Sequence, residues 1–436
     1  MSALVHRPRA PARRPGADEL FVALTDRLFV GLVTLIVLMM FLLSEMALTN
    51  LGVSYAEGGG SPLEKIHPAT WLAFLTLLFM GARHGNPLRL LDIIVAYRGV
   101  AIFLVSWLML FGWVTLIMKT PFSPLIDTFL AAIAVFLLIQ DLDNPTKRKI
   151  ALMLHAILTV NAILGLYEYL SGWRLTPYAI GSIVIDTDWR STAILGHPLA
   201  NASTTGSYIV ALALGGGRDL PRVLRPAAFG LQLLAMIAFG GRSSLVTALM
   251  VVGAVQAWKF GAVLRGRRFD RLTVSLAFLL APIAVAAVAG AYMAGFFDQF
   301  ILRFSDDLGS AKARVIMLSF FQIVPTWDII LGPDPAYIAS LQSLEGIEFG
   351  IESFWVGFIF AHGAIMACLF FVGLAAFCWQ LVRVTRPETI MLFVFFFLVA
   401  STSVSLSVKT LSFAMLVSLI LTMLRVDPPL RARARA

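Results

Sequence analysis

The chain has 436 residues, of which 59% are hydrophobic and only 14% charged, including 33 phenylalanines; its mean hydropathy is +0.86. A soluble domain sits nearer half apolar and a quarter charged, so this composition excludes a water-soluble globular protein. The net charge of +9 comes from basic residues dispersed in short blocks between apolar runs, which reads as a membrane-topology signal and argues against a nucleic-acid partner.

In chain order, a basic tail (1–27) precedes a first apolar run at 28–48. That run is too long for a signal peptide and lacks a small-residue cleavage site, so an uncleaved span is expected. Further helices are expected at 69–82, 99–118, 124–141, 150–170, 198–214, 226–240, 243–258, 272–295, 352–378, 389–406 and 408–424. A hydrocarbon core of about 30 Å takes about 20 apolar residues of helix to cross, and only the second helix and the pair around Gly240-Gly241 are short for the task. The fold class is therefore all-α: a polytopic membrane protein with about 12 transmembrane helices over 28–424 and a second basic tail at 425–436.

An even number of spans puts both termini on one side. With the N-terminus inside, every inside loop is basic, among them Arg83, Arg89 and Arg98, then Lys147, Arg148 and Lys149, then Arg218, Arg222 and Arg225. That is the distribution expected of cytoplasmic loops. The outer face carries the long connections, 49–68, 171–197 and 296–351. Within the last, Ala313, Ile316, Met317, Phe320, Phe321 and Val324 recur at helical spacing and Pro325 stops the run, which predicts an amphipathic helix over 311–324 at the outer interface or packed on the bundle. No internal repeat is visible, which disfavours transporter folds built from duplicated halves.

Several chemistries are missing from the sequence. There is no GxxxxGK[ST] phosphate loop, no HExxH or comparable ligand cluster and no GxSxG elbow, so nucleotide hydrolysis, metalloprotease and serine-hydrolase readings have no support. The two cysteines, Cys368 and Cys378, lie about 15 Å apart along one helix, too far for a disulfide. What remains is a set of outer arginines beside carboxylates and a histidine. Arg190 and His197 lie in DTDWRSTAILGHPLAN (186–201), Arg242 in FGGRSSL (239–245), Arg303 and Arg314 in RFSDDLGSAKAR (303–314), and Glu352 in GIESFWVGF (350–358). Charges near membrane depth are costly and usually have a partner or a task. Guanidinium is permanently charged and pairs bidentately with phosphate, which suits an anionic lipid-linked substrate. Arg303 reads as an ordinary loop charge. His197 reads equally as a helix cap or a substrate-binding or catalytic group, and Glu352 equally as a helix cap or a group orienting an acceptor hydroxyl. His362, inside the tenth helix, reads as a bundle residue.

The GHPLAN segment, the GGRSSL turn, the late loop with Ala313-Arg314, Trp327 and Leu331-Gly332-Pro333-Asp334-Pro335, and the following IESFWVGFIFAHGAI with its small-residue turn at Gly363 together resemble the O-antigen polymerase and ligase superfamily over roughly residues 150–375. The resemblance implies a GT-C-like, metal-independent, inverting glycosyltransferase without cofactor, working at the periplasmic face of the bacterial inner membrane. It implies an undecaprenyl-diphosphate-linked oligosaccharide as donor, the lipid bilayer as surroundings and a chain-length regulator as a protein partner. Arg242 matches the turn arginine and Arg314 the loop arginine, both expected to hold the diphosphate together with Arg190. Glu352 stands where ligases carry a histidine, so the resemblance favours a polymerase of exopolysaccharide or O-antigen over a ligase acting on lipid A core. Glu352 and His197 are the candidate general bases. The competing class is a transporter or flippase for lipid-linked sugars.

Overall fold

A computed structural model describes residues 17–55, 63–83, 88–180, 188–266, 288–305, 310–347, 350–404 and 406–426, with a few isolated positions between them. The predicted ninth helix (272–295) falls mostly outside the described residues, as do most of both basic tails. The first half of the chain forms α1 (Ala17–Leu42), α2 (Glu45–Asn50), α3 (Pro68–Arg83), α4 (Arg89–Ala96), α5 (Arg98–Gly112), α6 (Ser123–Leu125), α7 (Ala131–Gln140) and α8 (Asn144–Ser171). A two-residue antiparallel strand pair, β1 (Ala179–Ile180) and β2 (Ile183–Val184), precedes α9 (Pro198–Ala213), α10 (Leu224–Phe239) and α11 (Arg242–Leu264). The remainder forms α12 (Asp298–Ser305), α13 (Ser310–Ile323), α14 (Thr326–Leu331), α15 (Pro335–Leu344), α16 (Phe354–His362), α17 (Ala364–Val384), α18 (Thr389–Ala400) and α19 (Ser412–Met423).

Among the described residues, six helical stretches are long and apolar enough to cross a membrane: Phe21–Leu42, Arg98–Met118, Ser123–Gln140, Asn144–Ser171, Arg242–Gly261 and Ala364–Val384. Four shorter apolar helices, α3, α10, α18 and α19, stand among them, and α9 is buried at the centre along nearly its whole length. The protein is an all-α, multi-pass membrane protein.

Local chemistry explains where the predicted boundaries slip. The first span stops at Leu42 rather than 48, because Ser44 accepts the Ala47 N–H and starts a separate short helix. At its other end α1 begins at Ala17, so the tail read as 1–27 is partly helix. α8 begins at 144 rather than 150: Asp143 accepts the Thr146 N–H at 3.0 Å and Pro145 fits the first turn, as N-terminal capping favours. The tenth helix, predicted as continuous over 352–378, is two helices. Gly363, at φ +86°, ends α16, and the span proper is α17. Likewise 389–406 ends at Ala400, and 408–424 begins at Ser412, with a non-helical turn between.

Between lipid-facing helices there is no hydrophobic drive to associate, so close packing carries the fold. The tightest crossing is α5 on α17, where a Cβ at Gly373 would collide with Ser106. Around it a cluster of buried rings fills the centre, with Phe129 and Phe370 at 4.7 Å and Phe103 and Phe377 at 5.1 Å. One end of the bundle is tied by ion pairs. Arg83 meets Asp26 at 3.1 Å and Asp141 at 2.7 Å, and Arg425 grips Asp219 with two bonds of 2.8 Å. Arg425 also bridges Thr385. The basic segments around 83, 148, 218, 385 and 425 thus gather at one end. The described residues near 43–55 and 63–68, 172–180 and 188–197, and 406–411 gather at the other.

Candidate functional site

The site lies at this second end, where α8, α9, α10 and α11 meet. α8 supplies the anchor. The buried Glu168 accepts hydrogen bonds from the backbone N–H groups of Leu175 (2.9 Å), Thr192 (2.9 Å) and Ala193 (2.8 Å), and from the Thr192 hydroxyl at 3.4 Å. A buried carboxylate is tolerated when its lone pairs are filled in this way. Two turns earlier on the same helix, Asn161 accepts from Ile194 N–H (3.0 Å) and donates to Asn201 (2.9 Å), which donates in turn to the Thr192 and His197 carbonyls. These bonds hold the 172–197 connection against the bundle.

On that support sits Arg190, 9% exposed. Its Nε lies 2.9 Å and its Nη2 2.5 Å from Asp188 Oδ2, the Tyr178 hydroxyl accepts from Nη2 at 3.3 Å, and the guanidinium rests over the Tyr178 ring. Its aliphatic stem packs on Gly240, where a Cβ would come within 2.7 Å of it. Gly240 ends α10 at φ +64°, and at Gly241 a Cβ would strike Ala202. This is why the turn is Gly-Gly: one residue needs the left-handed backbone and the next has no room. Arg242 follows as the first residue of α11. Because Gly241 abuts Ala202 in the opening turns of α9, the N-termini of α9 and α11 converge, each carrying roughly half a positive charge.

His197 caps α9: its Nδ1 accepts the Leu199 N–H at 3.2 Å, and its ring stands edge-on to Tyr178. Burial, then the charge of Arg190, pushes its pKa down to about 4, so the ring is neutral and its proton sits on Nε2. His197 is thus the cap foreseen as one of its two readings, with a donor left on its far edge. Gly196 beside it packs on Ser44, which joins this region to a second polar cluster.

That second cluster was not foreseen from the sequence. Asp127, wholly buried in the π-helical turn Ile126–Leu130, accepts from the Tyr55 hydroxyl (2.9 Å), the Thr70 hydroxyl (2.7 Å) and the His67 N–H (3.1 Å). Lys409 lies over the Tyr55 ring at 3.5 Å and donates to the Tyr55 carbonyl. His67, pushed down to about 4 by burial, is neutral as well, with Nε2 bonded to the Leu43 carbonyl at 2.8 Å. The available signal was Asp127 itself, a carboxylate inside an apolar run.

The structure brings Arg190 and His197 together around Tyr178, and Arg242 opens α11 two residues after Gly240, on which the Arg190 stem packs. Arg314 lies on α13, but its side chain falls outside the described residues, as does that of Arg303. α13 matches the predicted amphipathic helix and packs on α16 through Phe320 and Phe321 against Phe360, at 6.0 and 4.8 Å. Glu352 sits one residue before the N-cap of α16, Ser353, beside the 401–408 turn, where Gly350 meets Val404. Its neighbours Gly350 and Ile351, though not Glu352 itself, line a cavity of about 420 Å³ between α15, α16 and the turns at 120–124 and 404–408. Neither arginine of the Gly-Gly turn region lines that cavity. Among the described residues, no three His, Cys, Asp or Glu side chains converge as a metal-binding set. Comparison with protein-family models, curated proteins and solved structures finds no match.

Proposed function

We propose that the protein is a metal-independent, inverting glycosyltransferase: a polysaccharide polymerase at the periplasmic face of the bacterial inner membrane that moves an undecaprenyl-diphosphate-linked glycan to another lipid-linked repeat unit. The observation that supports this reading is the convergence of two helix N-termini, one capped by His197 and the other opened by Arg242, beside the Arg190 stem, an arrangement suited to a diphosphate. The motif resemblance set out above supplies the substrate class.

In this reading the acceptor hydroxyl attacks the anomeric carbon, the bond from that carbon to the diphosphate oxygen breaks, and the lipid diphosphate leaves with its charge held by Arg242 and Arg314. A single displacement inverts the anomeric centre, and most of the rate comes from holding the two sugars in line. The residue chemistry divides the remaining roles. Arg190 is already paired with Asp188, so its first task is to hold the loop. His197, with its proton on Nε2, suits donating to a phosphate or sugar oxygen better than abstracting a proton. That leaves Glu352 as the preferred acceptor of the hydroxyl proton.

Replacing Arg242 or Arg314 with Ala is expected to abolish polymer while membrane levels stay normal; unchanged polymer length in both variants removes the diphosphate clamp. Reconstitution with a lipid-diphosphate oligosaccharide, with and without lipid A core, separates polymerase from ligase. The wholly buried Asp127 is the feature that favours a flippase as the second reading. A deletion strain decides between the two, since loss of a polymerase leaves single repeat units on the outer leaflet and loss of a flippase leaves them inside.

A further inference from the structure

The cavity beside Glu352 has a lining of one character. Its walls are apolar, with Phe129 and Phe358 among them, and its polar side chains are Thr120, Gln342, His362 and Ser407. Among the described residues, no aspartate, glutamate, lysine or arginine lines it. Two of those polar groups are unsatisfied: His362 Nδ1 and Ser407 Oγ are buried without a hydrogen-bond partner among the described residues. Buried polar atoms are nearly always bonded, and each exception asks for a reason. An isoprenoid or acyl chain would leave both atoms unpaired, and an anion would enter a site without a countercharge.

The backbone holds these two groups in place. Gly363 ends α16 directly after His362, and its packing against Leu331 and Gly332 fixes that end. The His362 ring stands edge-on to Phe358, with centroids 4.5 Å apart. Ser407 lies over Gly357, where a Cβ would come within 2.9 Å of its hydroxyl. The volume falls within the range of about 300–1,000 Å³ usual for small-molecule sites, enough for one or two sugar rings.

We infer that this cavity seats an uncharged sugar of the acceptor repeat unit, its ring faces against the phenyl rings and its hydroxyls bonded to His362 Nδ1 and Ser407 Oγ. Choosing a sugar among neutral polar ligands rests on the glycosyl-transfer reading above. The placement also serves that reading, because Gly350 and Ile351 line the cavity and Glu352 follows them directly. With no cation among the described lining residues, the site then favours neutral hexoses over uronic acids at the acceptor position.

The test is saturation-transfer NMR on the full chain in lipid nanodiscs, with methyl glycosides of glucose, galactose and mannose, methyl glucuronide as the charged comparator, and farnesol as the apolar one. At least one neutral glycoside is expected to bind, with Ser407→Ala and His362→Phe each weakening it about five- to tenfold, as loss of one hydrogen bond to a neutral group implies. His362→Phe keeps the ring packing, so a folded variant is available. The inference is overturned if no neutral glycoside binds, if both variants bind as the parent does, or if glucuronide or farnesol binds as tightly. Arg242→Ala is expected to retain glycoside binding while losing transfer. Binding without transfer in the parent chain would remove the enzyme reading and keep the cavity assignment; transfer with an unchanged acceptor KM in both cavity variants would do the reverse.

Discussion

His197 separates two jobs on one ring. Its Nδ1 serves the helix and its Nε2–H faces outward from the cap, so substitutions can divide stability from function. His197→Asn keeps a good N-cap and is expected to hold the melting temperature within a few degrees while lowering the transfer rate at least tenfold; His197→Ala also loses the cap, at about 1 kcal/mol. Equal loss of transfer and stability in both would reduce His197 to a cap. Asp188 and Arg190 form the complementary case. Both side chains are mostly buried, 17% and 10% exposed, and removing one partner of such a pair costs about 3–5 kcal/mol because the other is left uncompensated. Thermal unfolding of Asp188→Asn should show that cost, and the double variant Asp188→Asn with Arg190→Gln should recover much of it. Arg190 was visible in the sequence as a charge near membrane depth. Its partner two residues earlier was equally visible, but local spacing alone does not say that an arginine turns back on its neighbour rather than outward.

Among the elements, the break between α16 and α17 controls the most. Gly363 combines a left-handed backbone with a contact against Leu331 and Gly332 that leaves no room for a side chain. Gly363→Val is therefore expected to destabilise by several kcal/mol and to disturb the segment from α14 to α15 as well as α16; limited proteolysis between 326 and 347 is the readout, and an unchanged digest would refute the linkage. In the sequence, 352–378 reads as one span because every residue after Ser353 except His362 is apolar or glycine, and hydropathy does not register a change of direction. The amphipathic helix over 311–324 was legible, since its stripe of apolar residues has a period of its own. The site was legible in parts. GHPLAN and GGRSSL stood out as segments, but the packing of Gly241 on Ala202 and of Arg190 on Gly240 joins positions that are far apart in the chain. The Asp127 cluster unites residues near 55, 67, 127 and 409, and no local pattern announces it.

For the molecule as a whole, acid should unfasten the two ends differently. His67 is 2% exposed and its folded pKa, about 4, lies below the ordinary value near 6.5. The unfolded chain therefore binds more protons between these values, and stability falls as pH drops from 6.5 toward 4, by up to about 3 kcal/mol. At the opposite end burial raises the Asp219 pKa, but the hydrogen bonds and charge of Arg425, with Arg218 and Arg148, outweigh it and hold the carboxyl below its usual range. That contribution is intact above about pH 4 and is lost as pH falls through the lowered pKa. Unfolding in nanodiscs should thus soften in two stages, with His67→Gln weakening the first, to which the similarly shifted His197 also contributes, and Asp219→Asn removing the second; a single transition insensitive to both would contradict the assignment.

The π turn Ile126–Leu130, within the span Ser123–Gln140, and the break at His362–Gly363 border the same cavity, whereas the other five long spans contribute no lining residue to it. Irregular backbone at that depth is tolerated where protein or a cavity surrounds it. With the cavity read as an acceptor-sugar site, a division of labour follows: drift in the short broken pieces retunes which building block is admitted, and the other helices keep the scaffold standing while it does.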